Sequence, residues 1–223
     1  MLEWARHGAR ELDWIVAERQ IGGRGRHGRQ WISPSGNLYA TTLVKLRDGD
    51  PPAHTLALVA AIAAHHTIKE LLGDFDRVRI KWPNDILIDG VKAAGILLER
   101  DTNSVVMGFG INVASSPKDI GRETTFILEH RDLNINPKRV HEYLASYVKQ
   151  SLERWRWREQ GGLDWVLDAW LKCSVPIGTG ISVNTGADTL DGLFDGIDKA
   201  GALRLRLADG EVRVIQAGDV FLL

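Results

Sequence analysis

The sequence predicts an α+β fold, with a mixed sheet and flanking helices over residues 1–173 and a small β-barrel over residues 174–223. Three observations support this prediction. An Ala/Leu-rich segment at 56–72 has the length and composition of a buried helix, and three β-like segments follow it between residues 78 and 113. Beyond Cys173 the pattern changes to short strands separated by turn residues, which is typical of a small barrel.

The composition is that of an ordinary globular protein with balanced charge. The 223 residues suffice for one large domain, or for one domain plus a small appendage. Hydrophobic residues make up 44% of the chain and charged residues 26%, and the formal net charge is −1. A general nucleic-acid-binding protein is usually basic throughout, so we expect no DNA partner.

Two features indicate a cytoplasmic protein that does not enter a membrane. The lone Cys173 excludes an intrachain disulfide and any multi-cysteine metal site, and it suits a reducing compartment. Residues 1–11 carry charges throughout, unlike a signal peptide, and the longest apolar run, residues 56–64, is too short to span a bilayer.

The first third of the chain predicts a helix end, two strands and a long helix. Residues 2–10 have the pattern of a helix that stops at Gly8, and the segments 14–17 and 37–46 are β-prone. Thr55 is the expected N-cap of the helix over 56–72. Because this helix is apolar nearly all round, we expect it to be buried against the sheet.

His65 and His66 lie inside this predicted helix. Adjacent helical positions point about 100° apart, so two such side chains do not readily share a metal ion. We therefore expect both histidines to have structural roles.

The next strands contain one clear turn and one unusual pair of glycines. Asp89-Gly90 predicts a tight two-residue hairpin turn. Gly108 and Gly110 interrupt an apolar strand, which indicates that a ligand or another backbone approaches closely there. The β-like segments are 78–82, 86–99 and 105–113.

Residues 137–171 predict helices that are divided at Gly161-Gly162. Aromatic residues recur in them at roughly helical spacing, a pattern that favours core packing over a cofactor site. These residues are Tyr143, Tyr147, Trp155, Trp165 and Trp170.

One segment rich in glycine and arginine, residues 20–31, separates the first two predicted strands. Glycine backbone amides and guanidinium groups can approach a multiply charged anion closely, so the segment predicts an anion-binding loop. A solvated basic turn and a nucleic-acid-binding arm are the alternatives that the segment alone leaves open.

Further polar groups are expected to converge on this loop. The sequence Lys-Trp-Pro-Asn-Asp at 81–85 follows a strand, Lys92 lies just past the tight turn, and Asn112 ends the third β-like segment. Cations and glycines bind phosphate, whereas a carboxylate holds Mg²⁺ or accepts a proton. Trp31 and Trp82 can stack on a ring. These residue types predict a site for a nucleotide and a second, acidic substrate.

Several familiar catalytic motifs are absent from the sequence. It contains no Gly-x-x-x-x-Gly-Lys-Ser/Thr, no Gly-x-Ser-x-Gly and no His-Glu-x-x-His. The spacing of Gly23, Gly25 and Gly28 formally matches a dinucleotide fingerprint, but a strand follows these glycines where that fingerprint requires a helix. P-loop enzymes, nucleophile-elbow hydrolases and zincins are therefore excluded.

Five motifs, in this order and spacing, resemble the biotin–protein ligase family. The resemblance covers nearly the whole chain. It implies a class II synthetase-like catalytic domain with a mixed sheet, followed by an SH3-like β-barrel. The motifs are Gly-Arg-Gly-Arg-x-Gly-Arg-x-Trp at 23–31, Gly-Asn-Leu-Tyr at 36–39, Lys-Trp-Pro-Asn-Asp at 81–85, Lys-x-x-Gly-Ile-Leu-x-Glu at 92–99 and Gly-x-Gly-Ile-Asn at 108–112.

The resemblance implies a ligase that uses ATP and Mg²⁺ to attach biotin, through biotinyl-5′-AMP, to a lysine of a carboxylase's biotin carboxyl carrier domain. It also implies the roles of individual residues. The catalytic residues are Lys92, Arg26 and Asp85, with Asp85 near Mg²⁺ or the incoming lysine. The biotin-binding residues are Gln20, Gly23, Arg24, Gly25, Arg26 and Lys92. The ATP-binding residues are Arg24, Arg29, Trp31, Asn84, Lys92 and Asn112.

Two family features are not found in the sequence. A Ser/Thr-Thr/Ser-Asn motif on an N-terminal strand–helix turn helps the family to bind biotin, and nothing before Gln20 matches it. We expect either a start annotated too late or the loss of an N-terminal strand, which would impair biotin binding. A helix-turn-helix segment is also missing, so repressor activity is not expected.

The sequence is compatible with two alternative functions and with a homodimeric assembly. The chain is also compatible with a non-catalytic paralogue that binds nucleotide without full biotin binding. A lipoate or octanoyl transferase of related fold is the other alternative, although the Gly-Arg-Gly-Arg loop argues against it. A homodimer is compatible with the sequence.

Overall fold

Two antiparallel sheets, of six and five strands, organise the part of the chain that the structure describes. The computed structural model describes residues 2–73, 76–118, 121, 123–132 and 134–223. Its helices are α1 (Leu2–Arg6), α2 (Leu56–Leu72), α3 (Ile127–His130), α4 (Pro137–Arg156) and α5 (Gly162–Cys173). Its strands are β1 (Trp14–Ala17), β2 (Leu38–Lys45), β3 (Val78–Lys81), β4 (Asp85–Ile88), β5 (Val91–Asp101), β6 (Ser104–Ile111), β7 (Gly180–Asn184), β8 (Thr189–Ile197), β9 (Leu203–Arg206), β10 (Val212–Ile215) and β11 (Asp219–Leu222).

The first sheet has the strand order β1-β2-β6-β5-β4-β3. The α+β fold is confirmed, but all pairings between these strands are antiparallel, whereas a mixed sheet was predicted. The reason is that β3 to β6 follow one another through short turns, which reverse the chain each time. One of these is the predicted turn at Asp89-Gly90, where both φ angles are positive, at 49° and 82°.

Helix α2 forms the centre of the core, as predicted. Most of its residues are buried, and it ends at Gly73, which adopts the left-handed conformation with φ 67°. By length and composition, the helix and its preceding turn are apolar enough to cross a membrane, but 78% of that window is buried inside the protein. This burial identifies α2 as a core helix.

The two faces of the first sheet differ in character. On one face Ile96, Met107 and Phe109 are buried in the core cluster that also contains α2. On the other face Gly95 lies opposite Gly110, and Leu97 lies opposite Gly108. Because side chains alternate along a strand, the glycines share a face with little side-chain volume. A cavity therefore forms on the face opposite the core.

The C-terminal sheet has the order β10-β9-β8-β7-β11 and packs directly against the first part of the chain. The Trp170 ring contacts the Phe194 ring, with centroids 6.4 Å apart, and the Trp82 Nε1–H donates to the Gly201 carbonyl. The Val175 N–H donates to the Ile80 carbonyl across the predicted domain boundary. The core is thus continuous, and the division at residues 173/174 stays a prediction.

Other predicted elements differ in detail. Helix α3 lies between the last predicted β-like segment, which ends at residue 113, and the helices predicted from residue 137. It was not predicted, because four residues are too few to show a helical period. Thr55 precedes α2, but its hydroxyl donates to the Pro52 carbonyl and accepts from Trp155 Nε1–H, and so does not cap the helix. The predicted core role of the aromatic residues is confirmed for Trp155 and Trp170, both fully buried.

A network of ion pairs around Arg156 connects the end of α4 to residues near the N-terminus. The guanidinium donates two hydrogen bonds of 2.9 Å to the Glu11 carboxylate and one of 3.0 Å to Asp50 Oδ1. A further bond of 2.8 Å reaches the Lys45 carbonyl at the end of β2. Burial raises the pKa of the Glu11 carboxyl, but Arg156 and Arg47 outweigh this effect and lower the pKa overall.

We expect the substitution Arg156→Met to lower the free energy of unfolding at pH 7 by about 2–3 kcal/mol, because it removes the guanidinium that two largely buried carboxylates share and leaves Glu11 with Arg47 as its remaining cationic partner. Since the Glu11 pKa is depressed in the folded state, its contribution is present above the ordinary value of 4.5 and is lost as pH falls through the lower, folded value. The deficit should therefore shrink below about pH 4. Urea unfolding at pH 7 and below pH 4 measures the difference in unfolding free energy between the variant and the wild-type protein. Arg139→Met, which removes exposed contacts with Glu142 and Tyr143 on α4, is the control and should change stability far less.

Candidate functional site

The glycine- and arginine-rich segment forms a small folded hairpin between β1 and β2. The Trp31 N–H donates to the Gly23 carbonyl at 2.9 Å, and the Gly25 N–H donates to the Arg29 carbonyl at 2.7 Å. A short 3₁₀ turn at Arg26–Gly28 forms its tip, where His27 has a φ of 55°. We call residues 20–31 the arginine hairpin.

Carboxylates hold the arginines of this hairpin over the sheet. Arg24 Nη2 lies 3.2 Å from Glu99 Oε1 on β5, and Arg29 Nη2 lies 2.7 Å from Asp219 Oδ1 on β11. Arg26 donates to the Gly218 carbonyl at 3.0 Å. Burial lowers the pKa of the Arg26 guanidinium, and Asp219 is the first of the groups that oppose this shift. The C-terminal sheet therefore anchors the hairpin tip.

We expect Asp219→Asn to loosen the hairpin, because this carboxylate contacts Arg29 and lies 3.9 Å from Arg26. Loss of about 1 kcal/mol of charge-assisted bonding corresponds to a roughly fivefold rise in the open population. Limited trypsin digestion measures this population as the rate of cleavage within the hairpin. Glu211→Gln, which affects only an exposed pair in the same sheet, should leave the rate unchanged. An Asp219→Asn rate equal to wild type would contradict the anchoring role.

Lys92 and Asp85 form a buried ion pair at the base of the cavity. Lys92 Nζ contacts Asp85 Oδ1, and Lys81 Nζ lies 3.3 Å from the other oxygen of the same carboxylate. Lys81 also donates to the Val220 carbonyl on β11 at 2.6 Å. One carboxylate thus positions two ammonium groups, and a buried ammonium is an effective binding group for an anionic ligand.

Trp31 lies across the paired glycines of β5 and β6. A Cβ added at Gly110 would lie 2.5 Å from Trp31 Cε2, and one added at Gly95 would lie 2.8 Å from Trp31 Cζ3. The Lys92 ammonium is 5.5 Å from the centre of the indole ring. Among the described residues, Trp31 Nε1 is one of a few buried polar atoms without a hydrogen-bond partner. Gly95 and Gly110 therefore leave the room that the indole occupies. The sequence predicted that a ligand or another backbone approaches Gly108 and Gly110. At Gly110 the Trp31 side chain approaches instead, and at Gly108 the nearest atom, the Leu97 carbonyl oxygen, is at an ordinary contact distance.

Together these groups line a cavity of about 480 Å³. Its size suits a nucleotide-sized or vitamin-sized ligand. Five cationic and four carboxylate side chains face it. Of the residues predicted from the sequence, the structure places nine on its lining: Gln20, Arg24, Gly25, Arg26, Arg29, Trp31, Asn84, Asp85 and Lys92.

Two predicted site residues lie behind the lining. Asn112 is 2% exposed, and its side-chain amide donates to the Thr125 carbonyl at 3.0 Å. Gly23 is buried within the hairpin, where a Cβ would lie 2.5 Å from the Trp31 carbonyl oxygen. Both residues shape the site from outside the cavity surface. Asn84 lines the cavity, with its amide donating to the Ile96 carbonyl.

No site role was predicted from the sequence for the C-terminal strand. In the structure, residues 219–222 line the cavity. Lys81 and Glu99 were noted only as parts of motifs, although they position Asp85 and Arg24 respectively. The motifs that contain Lys81 and Glu99 could have indicated a site role for these two residues. Local spacing gave no such indication for the last strand, because it lies about 190 residues beyond the arginine hairpin.

The amino-acid sequence is similar to known families and to known proteins. Residues 3–114 match the Biotin/lipoate A/B protein ligase family, and residues 177–223 match the Biotin protein ligase C terminal domain. The chain is 34% identical to a biotin--[acetyl-CoA-carboxylase] ligase of Paracoccus denitrificans over 220 residues, covering 93% of this chain and 89% of that protein. It is also 34% identical to the bifunctional ligase/repressor BirA of Escherichia coli (strain K12), covering 94% of this chain and 66% of that protein.

Solved structures share the fold. The biotin protein ligase from Aquifex aeolicus in complex with biotin and ATP superimposes with a TM-score of 0.82 at 23% identity, covering 97% of this chain and 90% of that one. The Leishmania major biotin protein ligase in complex with biotinyl-5-AMP gives 0.63 at 26% identity, with coverage of 92% and 88%.

Proposed function

The chain belongs to the biotin/lipoate A/B protein ligase family, and from this premise we propose that it uses ATP to attach biotin to a lysine of a biotin carboxyl carrier domain. The observation that supports this most directly is the glycine-walled cavity, which has Lys92 at its base and the arginine hairpin at its rim. The reaction has two steps. Biotin and ATP give biotinyl-5′-AMP and pyrophosphate, and the carrier lysine then displaces AMP to form an amide.

The first step brings two anions together. The biotin carboxylate attacks the α-phosphorus of ATP, and negative charge increases on the non-bridging oxygens as pyrophosphate leaves. Lys92 Nζ, largely buried beside Asp85, offsets this repulsion where the charge develops. Arg26, a partly exposed residue of the hairpin tip, supplies a second cation at the rim. No protein nucleophile is needed, because the substrate carboxylate is itself the nucleophile.

The arginine hairpin also protects the intermediate. Biotinyl-5′-AMP is a mixed anhydride that water hydrolyses, so the site must exclude water until the carrier arrives. The hairpin covers the sheet, with Arg24 paired to Glu99 and Arg29 paired to Asp219. Trp31 adds a flat face and an unsatisfied N–H donor, which suit a ring of the nucleotide or of biotin.

Mg²⁺ enters this proposal as part of the Mg-ATP substrate. Asp85 was predicted to lie near Mg²⁺, but Lys92 contacts one of its oxygens and Lys81 lies 3.3 Å from the other. A carboxylate shared by two ammonium groups does not fit a resident metal ligand. We therefore assign Asp85 to the positioning of Lys92.

The carrier supplies a lysine amine, which attacks the carbonyl carbon of the anhydride. We infer a cytoplasmic location, where ATP is available and where the single Cys173 stays reduced. A homodimer and the absence of a DNA partner remain part of the proposal, to be tested by sedimentation and by a DNA-binding assay.

The decisive experiment incubates the protein with labelled biotin, Mg-ATP and a biotin carboxyl carrier domain. We expect a labelled carrier, and none when ATP is omitted or when the acceptor lysine of the carrier is replaced by arginine. An unlabelled carrier with the intact protein would overturn the proposal. Replacing biotin by lipoate or an octanoyl donor tests the other transferase reactions of the family, and labelling with either would identify a different acyl substrate.

Calorimetry separates a catalyst from a protein that only binds nucleotide. Biotin added to the protein should release heat in a saturable way, and ATP added afterwards should give the additional heat of adenylate formation. Binding of ATP with no response to biotin would indicate the non-catalytic alternative.

A further inference from the structure

Three side chains outside the proposed active site meet where α2, β3 and α5 join. They are His65, His66 and Cys173, and their potential ligand atoms all lie within 4.8 Å of one another. Structural roles were predicted for both histidines, because adjacent side chains on a helix point in different directions. In the structure the two imidazole rings are only 5.5 Å apart, and the thiol at the end of α5 lies close to both. Cys173, on another helix, thus places a third potential ligand atom close to both imidazoles, although the two histidines are adjacent on α2.

His65 is held in one orientation with one nitrogen unused. It is 2% exposed, and its Nε2 lies 3.0 Å from the Val78 carbonyl oxygen. A carbonyl only accepts, so the ring proton must lie on Nε2 and Nδ1 must carry a lone pair. Nδ1 is buried, and it has no hydrogen-bond partner among the described residues. An imidazole that donates one N–H to a backbone carbonyl and leaves the other nitrogen free is oriented as metal-binding histidines are.

The other two groups complete a nitrogen–sulfur donor set. His66 Nε2 lies 3.9 Å from Cys173 Sγ, and Cys173 is 8% exposed. His66 is only partly buried, so it provides a route for an ion to enter. Two imidazoles and a thiolate are the ligand types that zinc and related transition metals prefer.

We propose that His65, His66 and Cys173 form a binding site for a thiophilic divalent transition metal ion such as zinc, with water or another small ligand as the fourth donor. Metal–ligand bonds of about 2.0–2.3 Å place donor atoms roughly 3–4 Å apart, so the three side chains must close by about an ångström. On binding, the Cys173 thiol releases its proton to solvent, whereas both neutral imidazoles donate lone pairs. Burial raises the pKa of the Cys173 thiol, and Lys69, Arg79 and Lys172 oppose this rise only in part, so the bound metal ion itself must stabilise the thiolate.

The position of this cluster gives the ion a structural role. Cys173 ends α5, and the next residue, Ser174, pairs with Ile80 on β3 at the junction with the C-terminal sheet. A metal ion bound here would link α2 to that junction. We therefore expect the ion to stabilise the fold.

Cobalt binding to the untagged, reduced and metal-stripped protein tests the site directly. Co²⁺ should bind one equivalent with visible bands of a four-coordinate site and a near-ultraviolet thiolate-to-cobalt charge-transfer band, and zinc should displace it. Since Cys173 is the single cysteine, the charge-transfer band reports on this residue alone. Cys173→Ser should abolish the band, and His66→Gln should weaken binding at least tenfold. His7→Gln, in the exposed turn after α1, is the matched histidine control and should bind as wild type does.

Thermal unfolding provides a second readout. A small excess of zinc should raise the melting temperature of the wild-type protein and of His7→Gln, but not that of His66→Gln. Absence of the charge-transfer band in wild type would overturn the proposal. Equal zinc stabilisation of wild type and His66→Gln would also overturn it, even if Cys173→Ser proves too unstable to study.

Discussion

Replacing Lys92 by methionine is expected to lower kcat/KM for adenylate formation by about a thousandfold, or roughly 4 kcal/mol of transition-state stabilisation. Lys92 is 9% exposed, and its ammonium contacts Asp85 and lies 5.5 Å from the centre of the Trp31 ring. Methionine keeps the length of the side chain but removes the charge that offsets repulsion between carboxylate and phosphate. Pyrophosphate release with saturating biotin and Mg-ATP measures the loss.

Two further variants separate charge from geometry. Lys92→Arg keeps a cation but cannot fit the same space beside Asp85, so we expect partial activity. Lys81→Met removes the second ammonium on Asp85 and should cost about tenfold, because Lys81 acts mainly by positioning that carboxylate. The proposed role of Lys92 fails if Lys92→Met stays within tenfold of wild type while its melting temperature is unchanged.

Adding one methyl group at Gly110 is expected to raise the KM for ATP or for biotin by at least about a hundredfold. The new Cβ would lie 2.5 Å from the Trp31 ring, closer than nonbonded carbon atoms approach, so the indole must leave the glycine face. A displaced indole changes the shape of the cavity and removes the ring face and N–H donor beside Lys92. Steady-state kinetics with each substrate varied in turn measures the change.

A double-mutant cycle tests whether this effect passes through the indole. Trp31→Ala alone should impair binding, but in the Trp31→Ala background Gly110→Ala should add little, because the clashing ring is gone. Additive losses would show that the methyl group acts by narrowing the cavity itself. Gly108→Ala is a useful folding control, since its Cβ would meet nearest neighbours at 3.4 Å and 3.9 Å.

Local pattern was sufficient for most secondary-structure elements of this fold. Helix α2 and the hairpin at Asp89-Gly90 appear where predicted, because apolar composition and turn chemistry act over a few residues. Sheet pairing depends on distant segments. The antiparallel pairing of β2 with β6 joins residues about 65 positions apart, and no local signal distinguishes it from a parallel arrangement.

The candidate site shows the same division. The predicted residues that line the cavity belong to motifs with charged residues and glycines at fixed spacing. Such motifs can be recognised from the chemistry of their side chains alone. Asn112 carries the same kind of signal, yet burial directs its amide to the Thr125 carbonyl. Asp219 carries no comparable signal, because its role arises only when the C-terminal sheet docks beside Arg29. Tertiary packing therefore decided which polar groups face the ligand.

The end of β11 has a practical consequence. Phe221 and Leu222 line the cavity, and Leu223, which follows them, is 76% exposed. Anything joined to the chain after Leu223, such as an affinity tag or a fusion partner, begins beside the mouth of the cavity. Labels for purification are therefore better placed at the other terminus. Conversely, an environment-sensitive dye attached just past Leu223 would lie where it can report ligand entry.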